Sequence, residues 1–231
     1  MPGRNKIGLA NYRNQVNNRS DIDLFLETYR PDAVSAAQDF RLISVNGGTT
    51  QQTPLNETQL RIRLGGEGDL DAEYLLALAW PTPLTSWSTA GAPPFIPDAD
   101  SKPYTEIEPY LTWLDYVLEQ DNLPQVISNS YADDEQTVPR AYAHAVCAKF
   151  AELAARGVTV LTGSGDGGVG GVQPGGACLS NSDNKTRQFI PLFPSTCPYV
   201  TSVGGTVGFN PEVAAYDARY DFASGETVGR R

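Results

Sequence analysis

One histidine, one methionine and three cysteines are spread over 231 residues, and each scarcity closes off a class of chemistry. A lone His144 leaves any histidine-dependent serine mechanism resting on that residue by itself. The cysteines, Cys147, Cys178 and Cys197, have spacings that resemble no zinc site. No Lys/Arg cluster occurs, and 17 basic against 27 acidic residues leave a formal charge of −10. That balance argues against nucleic acid and membrane surfaces as partners. No apolar run approaches bilayer-spanning length, and the start, MPGRNKIGLANYR, has basic residues without a hydrophobic signal-peptide core behind them. Internal repeats and low-complexity tracts are also missing. The length allows one large domain or two small ones, and the chain is read as one.

Three sequons, at Asn18, Asn56 and Asn184, stand in polar, turn-prone contexts that suit glycosylated surface loops. They favour a secreted, extracellular protein whose leader is absent from these residues. Cys178 and Cys197 flank a loop rich in Asn, Ser and Pro, whereas Cys147 falls in a helical pattern. A Cys178–Cys197 disulfide is expected, with two buried thiols as the alternative.

Strand and helix signals alternate. Lys6 to Tyr12 and Phe40 to Val45 read as strands around a helix at Asp21 to Tyr29. A second helix begins near Glu67 and runs to Ala79, where Pro81 and Pro83 break it, and a long loop is expected from Pro81 to about Lys102. Pro109 to Leu118 is a further helix. Gln125 to Tyr131 and Val158 to Leu161 read as strands, joined by a helix opened by Pro139 and closed by Gly157, with Val146, Phe150 and Leu153 on one face. This is a βαβ unit, and βαβ units build parallel sheets whose ligands bind beyond the carboxyl ends of the strands. Both Ser130-Tyr131-Ala132 and the glycine-rich stretch TGSGDGGVGG at 162–171 lie at such ends.

Three carboxylates stand out. Glu67 and Asp71 are four residues apart, so on a helix they project from one face about a turn apart and can share a proton. Spacing alone reads equally as two solvated acids at a helix N-terminus. Asp166 is the only acid among the six glycines of 162–171, either capping a turn or facing a ligand that the glycines let approach.

These segments resemble the sedolisins, the serine-carboxyl peptidases. Glu67-Gly68-Asp69-Leu70-Asp71 matches their Glu-x-x-x-Asp element with Leu before the Asp. Residues 128–135 (SNSYADDE), 154–160 (AARGVTV), 164–170 (SGDGGVG) and 193–206 (FPSTCPYVTSVGGT) resemble the family in the same order. Within it the resemblance is nearest to the secreted fungal tripeptidyl-peptidases, whose Tyr-Pro-Thr-Pro-like loops are similar to Trp80-Pro81-Thr82-Pro83.

The resemblance implies a subtilisin-like α/β fold, a parallel sheet with helices on both faces, incomplete at the carboxyl end. Glu67 would be the general base that takes the proton of a serine hydroxyl, and Asp71 would orient Glu67 and share its proton. Asp166 would stand where subtilisin-like enzymes place an Asn that hydrogen-bonds the oxyanion. Only a protonated Asp can donate there, so catalysis would run in acid. Ser130, Tyr131 and Ala132 would offer a strand edge to an extended peptide or protein substrate, and Gly165 would let it approach; Ala132 stands where the family usually has Gly. His144 would be a surface or packing residue.

The resemblance covers about Lys6 to Gly225, and residues 226–231 diverge from it. The family's Gly-Thr-Ser nucleophile motif and aspartate-rich calcium site do not occur in these residues. No cofactor is therefore expected here, calcium belonging to the complete family domain, as a prosegment would belong to the full-length precursor. The chain is expected to be a partial peptidase domain without activity as given. A noncatalytic peptide-binding relative is the first alternative. A glycoside hydrolase using Glu67 and Asp71, with Trp80, Trp87 and Trp113 stacking on sugars, is the second.

Overall fold

A computed structural model describes residues 5–102, 107–172 and 176–215; Ser224 and the divergent tail lie outside them. The chain divides into two compact units, each assembled from separate stretches of sequence. The first comprises Met1–Gly91, Thr112–Ser130 and Arg156–Thr159, and the second Ala92–Leu111, Tyr131–Ala155 and Val160–Arg231.

In the first unit, β1 (Ile7–Asn11) leads to helix α1 (Arg19–Tyr29), the short α2 (Ala36–Asp39) and β2 (Arg41–Val45). Helices α3 (Glu57–Arg61) and α4 (Gly66–Ala79) precede β3 (Leu84–Thr89). Helix α5 (Tyr110–Leu118), most of which lies in this unit, precedes β4 (Val126–Asn129). The strands run parallel in the order β2-β3-β1-β4. Helices α1 and α4 pack together, and Ile22 and Leu26 of α1 with Ala72 and Leu76 of α4 form a buried cluster with Leu9 and Leu84. Burial of those aliphatic side chains on one stripe of each helix is what holds the pair to the sheet.

The loop expected from Pro81 to Lys102 contains β3, an interior strand of this sheet. Its sequence, Leu-Thr-Ser-Trp-Ser-Thr, carries no apolar run, yet Ser86 and Ser88 are buried because their hydroxyls find partners inside the protein. Trp87 and Trp113 are core residues, 3% and 0% exposed, with rings 6.1 Å apart and nearly perpendicular. Neither is placed to stack on a sugar, which leaves only the half-buried Trp80 of the three tryptophans named for the glycosidase alternative.

In the second unit, β5 (Asp133–Asp134) pairs antiparallel with β7 (Leu192–Phe193). Helix α6 (Arg140–Ala155) buries Val146, Phe150 and Leu153, the face read from the sequence. Strand β6 (Thr159–Gly163), whose first residue belongs to the first unit, pairs in parallel with β8 (Thr201–Val203). The α/β class with parallel strands is thus the fold. Cys147 of α6 is bonded to Cys197, their Cα atoms 5.4 Å apart, so the Cys178–Cys197 pairing expected from the sequence is incorrect. Cys178 is buried at φ 52°. The helical position of Cys147, which counted against it in the sequence, aims it at the turn after β7.

Candidate active site

Helix α4 sets Glu67 in its first turn and Asp71 one turn later, on the same side. The helix has no cap of its own, because its N-cap residue is Gly65. Gln15, in the β1–α1 connection, supplies the missing acceptor: its Oε1 receives the Glu67 and Gly68 amides at 3.2 and 3.4 Å. Asn17 Nδ2 donates to the Gly68 carbonyl at 2.5 Å, and Asp69 accepts the Asn18 amide at 2.5 Å. Gly68 is required by this clasp, since a Cβ there would lie 2.4 Å from the Val16 carbonyl oxygen. Beneath it, Asn11, Asn17 and Ser86, each 0% exposed, satisfy one another.

Ser130 follows β4, and its hydroxyl donates to Asp71 Oδ1 at 2.8 Å. The structure therefore brings together three of the residues singled out in the sequence, Glu67, Asp71 and Ser130, and gives Ser130 a role the sequence did not suggest: it grips a carboxylate. Asp71 Oδ2 is buried without a hydrogen-bond partner. Burial, and next the nearby charge of Glu67, push the Asp71 carboxyl up to about 7, against the lowering effect of Ser130. Asp69 is likewise raised to about 7, mainly by burial, with the Asn18 amide opposing and Asp21 and Glu73 adding to the rise.

In the second unit, Tyr131 is buried and its carbonyl accepts the Tyr110 hydroxyl at 3.2 Å, while Ala132 is half-buried. Asp166 is exposed on the loop after β6, where its amide donates to the Val172 carbonyl at 3.3 Å. Gly165, at φ 80°, packs against Leu192. His144 is exposed and accepts from Arg140 Nε at 3.3 Å, a surface role. Among the described residues no three His, Cys, Asp or Glu side chains are arranged to hold a metal ion. No helix among them is long and apolar enough to cross a membrane.

Of the sequons, Asn56 and Asn184 are exposed. Asn18 is 5% exposed and its side-chain oxygen caps α1 by accepting the Ser20 amide and hydroxyl at 3.0 and 2.8 Å. A buried cap leaves no room for a glycan, so that expectation fails at Asn18. The signal was present in the sequence, since Asn followed by Arg-Ser-Asp and an apolar-periodic run is also a helix start.

No family model matches the chain. Over 213 residues, 90% of its length, it is 39% identical to tripeptidyl-peptidase sed4 of Aspergillus fumigatus. It is 41% identical over 215 residues to the probable tripeptidyl-peptidase SED3 of Trichophyton verrucosum, and 39% identical over 217 residues to tripeptidyl-peptidase SED4 of Arthroderma otae. Pseudomonas sedolisin, a serine-carboxyl proteinase solved with two molecules of pseudo-iodotyrostatin, shares the fold at a TM-score of 0.56 with 17% identity, over 99% of this chain and 57% of its own. The chain is homologous to part of the fungal tripeptidyl-peptidases, spanning 33% to 34% of the length of those relatives, and has the fold of a serine-carboxyl proteinase.

Proposed function

We propose that residues 1–231 form part of one acid serine-carboxyl peptidase domain acting on peptides or proteins, releasing tripeptides or cutting internally. The observation that carries this reading is Asp71: a half-buried carboxyl gripped by Ser130 on one oxygen, its other oxygen buried without a partner, one turn from Glu67. Below about pH 7 the open Oδ2 can hold a proton and offer it to Glu67, which leaves Glu67 an oriented acceptor for a hydroxyl proton. The hydroxyl would come from a Gly-Thr-Ser segment, a sequence these residues do not contain. A polypeptide of these residues alone is accordingly expected to show no turnover.

Asp166, in its protonated form, would donate a hydrogen bond to the oxyanion, and residues 130–132 would line the substrate strand. Secretion, a prosegment partner and glycans on Asn56 and Asn184 belong to the same proposal, supported by the exposure of both asparagines. Calcium would be held by residues of the complete domain beyond these.

The test replaces the matching 213 residues of the Aspergillus fumigatus protein with this chain and measures tripeptide release against pH. Asp166→Asn should retain activity and extend it toward neutral pH, because an amide donates at any pH, whereas Asp166→Ala should lose on the order of a hundredfold in kcat. An Asp166→Ala enzyme as fast as the parent refutes the assigned role.

A further inference from the structure

The loop bearing Asp166 is tied down by a buried carboxylate that nothing in the peptidase mechanism uses. Asp134 lies on β5, 8% exposed, and its Oδ1 accepts the Val172 amide at 2.6 Å. The carbonyl of the same residue, Val172, accepts the Asp166 amide at 3.3 Å. One residue is therefore held at both ends, its N–H by Asp134 and its C=O by the residue whose side chain is proposed to meet the oxyanion. Gly171, at φ 104°, presses against the same carboxyl: a Cβ there would fall 2.5 Å from Asp134 Oδ1 and 3.0 Å from Oδ2. Only glycine lets the loop come this close.

Asp134 is fixed in turn. Strand β5 pairs Asp134 with Leu192 of β7, and β7 presents no charged group to it. Asp98 lies close enough to raise the Asp134 carboxyl, and Asp98 is itself held by the Asp100 amide at 3.1 Å, the Ser101 hydroxyl at 2.8 Å and Gln136 Nε2 at 3.0 Å. Asp100 Oδ2 accepts the Ala177 amide at 2.9 Å, farther along the same chain segment. Burial first, and then the charges of Asp98 and Asp100, raise Asp134 to about 6 in spite of the Val172 amide.

We infer that Asp134 is a positioning residue for Asp166, clamping the glycine-rich loop through the Val172 peptide so that the Asp166 side chain is presented in one fixed place. The inference deepens the proposed peptidase reading and rests on it only for its effect on rate. Positioning of this kind acts on the transition state, because a donor displaced by a fraction of an ångström still permits substrate to bind but stabilises the oxyanion poorly.

Two measurements test it. On the 231-residue chain, amide hydrogen exchange is followed at Asp166 and Val172, with Phe150 in the core of α6 as the internal reference for folding. Asp134→Leu should speed exchange at Asp166 and Val172 by on the order of tenfold or more while Phe150 stays protected. Asp134→Asn, which keeps an acceptor for Val172 and places no charge beside Asp98, should restore the protection. In the Aspergillus fumigatus replacement, Asp134→Leu should lower kcat about tenfold with KM nearly unchanged, and Asp134→Asn should recover most of the loss. Protection at Val172 that survives Asp134→Leu, an Asp134→Asn chain no better than the leucine variant, or a change confined to KM overturns the inference. Exchange needs no turnover, so a failure of Asp166 as oxyanion donor would appear in the Asp166 rate profiles and leave this measurement standing.

Discussion

Ser130→Ala and Glu67→Gln should move the Asp71 titration in opposite directions. Ser130 donates to the ionised form of Asp71 at 2.8 Å, so its removal favours the protonated form. A hydrogen bond to a charged group contributes about 1.5 to 3 kcal/mol net; because Ser130 is exposed, screening reduces this to about 1.4 kcal/mol, or roughly one pKa unit. The midpoint should therefore rise from about 7 by on the order of one unit. Glu67 acts with the other sign. Its charge one helical turn away raises Asp71, and at a near-surface dielectric such a repulsion is worth on the order of 1 to 2 kcal/mol. Glu67→Gln should lower the midpoint by about one unit. The assay is the pH dependence of the Asp71 carboxyl carbon shift in isotope-labelled chain, with Asp71→Asn identifying the resonance. Two variants that shift the midpoint in the same direction, or a Ser130→Ala chain with the parent midpoint, would refute the arrangement of donor and like charge around Asp71.

Stability should fall as pH rises. Asp69 and Asp71, both raised to about 7, and Asp134, raised to about 6, bind protons more tightly folded than at their ordinary value of 3.8. Their contribution is complete below about pH 4 and is lost as pH climbs through about 6 to 7, at up to about 1.4 kcal/mol per pH unit for each group. Urea midpoints measured at several pH values check this, and a midpoint that increases from about pH 4 to pH 7 contradicts it. Gly68→Ala gains helix propensity of about 1 kcal/mol, but its Cβ would sit 2.4 Å from the Val16 carbonyl oxygen, and displacing backbone costs about 1 to 3 kcal/mol. The expected net loss of on the order of 1 kcal/mol lowers the thermal midpoint by about 2 to 4 °C, and an unchanged midpoint would remove the tight clasp at α4. Peptide mapping of the chain secreted from a eukaryotic host should find glycans on Asn56 and Asn184, none on Asn18, and Cys147 linked to Cys197. A Cys178–Cys197 peptide would reverse that last assignment.

Much of the α/β frame was legible because amphipathic helices announce themselves. Ile22 and Leu26 in α1, and Val146, Phe150 and Leu153 in α6, have the spacing of a buried stripe and are buried. Strand β3 was not legible: Ser86 and Ser88 look like loop residues until their hydroxyls are seen bonded within the protein. The carboxylate pair could be found from spacing, but what supports it could not. Gln15, Asn17 and Asp69 act across 51 to 53 residues of sequence, and polar side chains that pair over such separations leave no periodic trace. Asn18 carried two readings at once, sequon and helix cap, and burial decided for the cap. The disulfide was misread for a related reason, since loop composition around Cys178 said less than the direction in which α6 points Cys147.

The central claim is that Glu67 and Asp71 activate a hydroxyl as a unit. Tripeptide release by the Aspergillus fumigatus replacement, measured in acid for Glu67→Gln, Asp71→Asn and the double variant, tests it most directly. General-base function predicts that Glu67→Gln lowers kcat about a hundredfold to ten-thousandfold. Action as a unit predicts that the double variant is hardly slower than the worse single one. Variants that release tripeptides as fast as the parent, or losses that simply multiply, would contradict it.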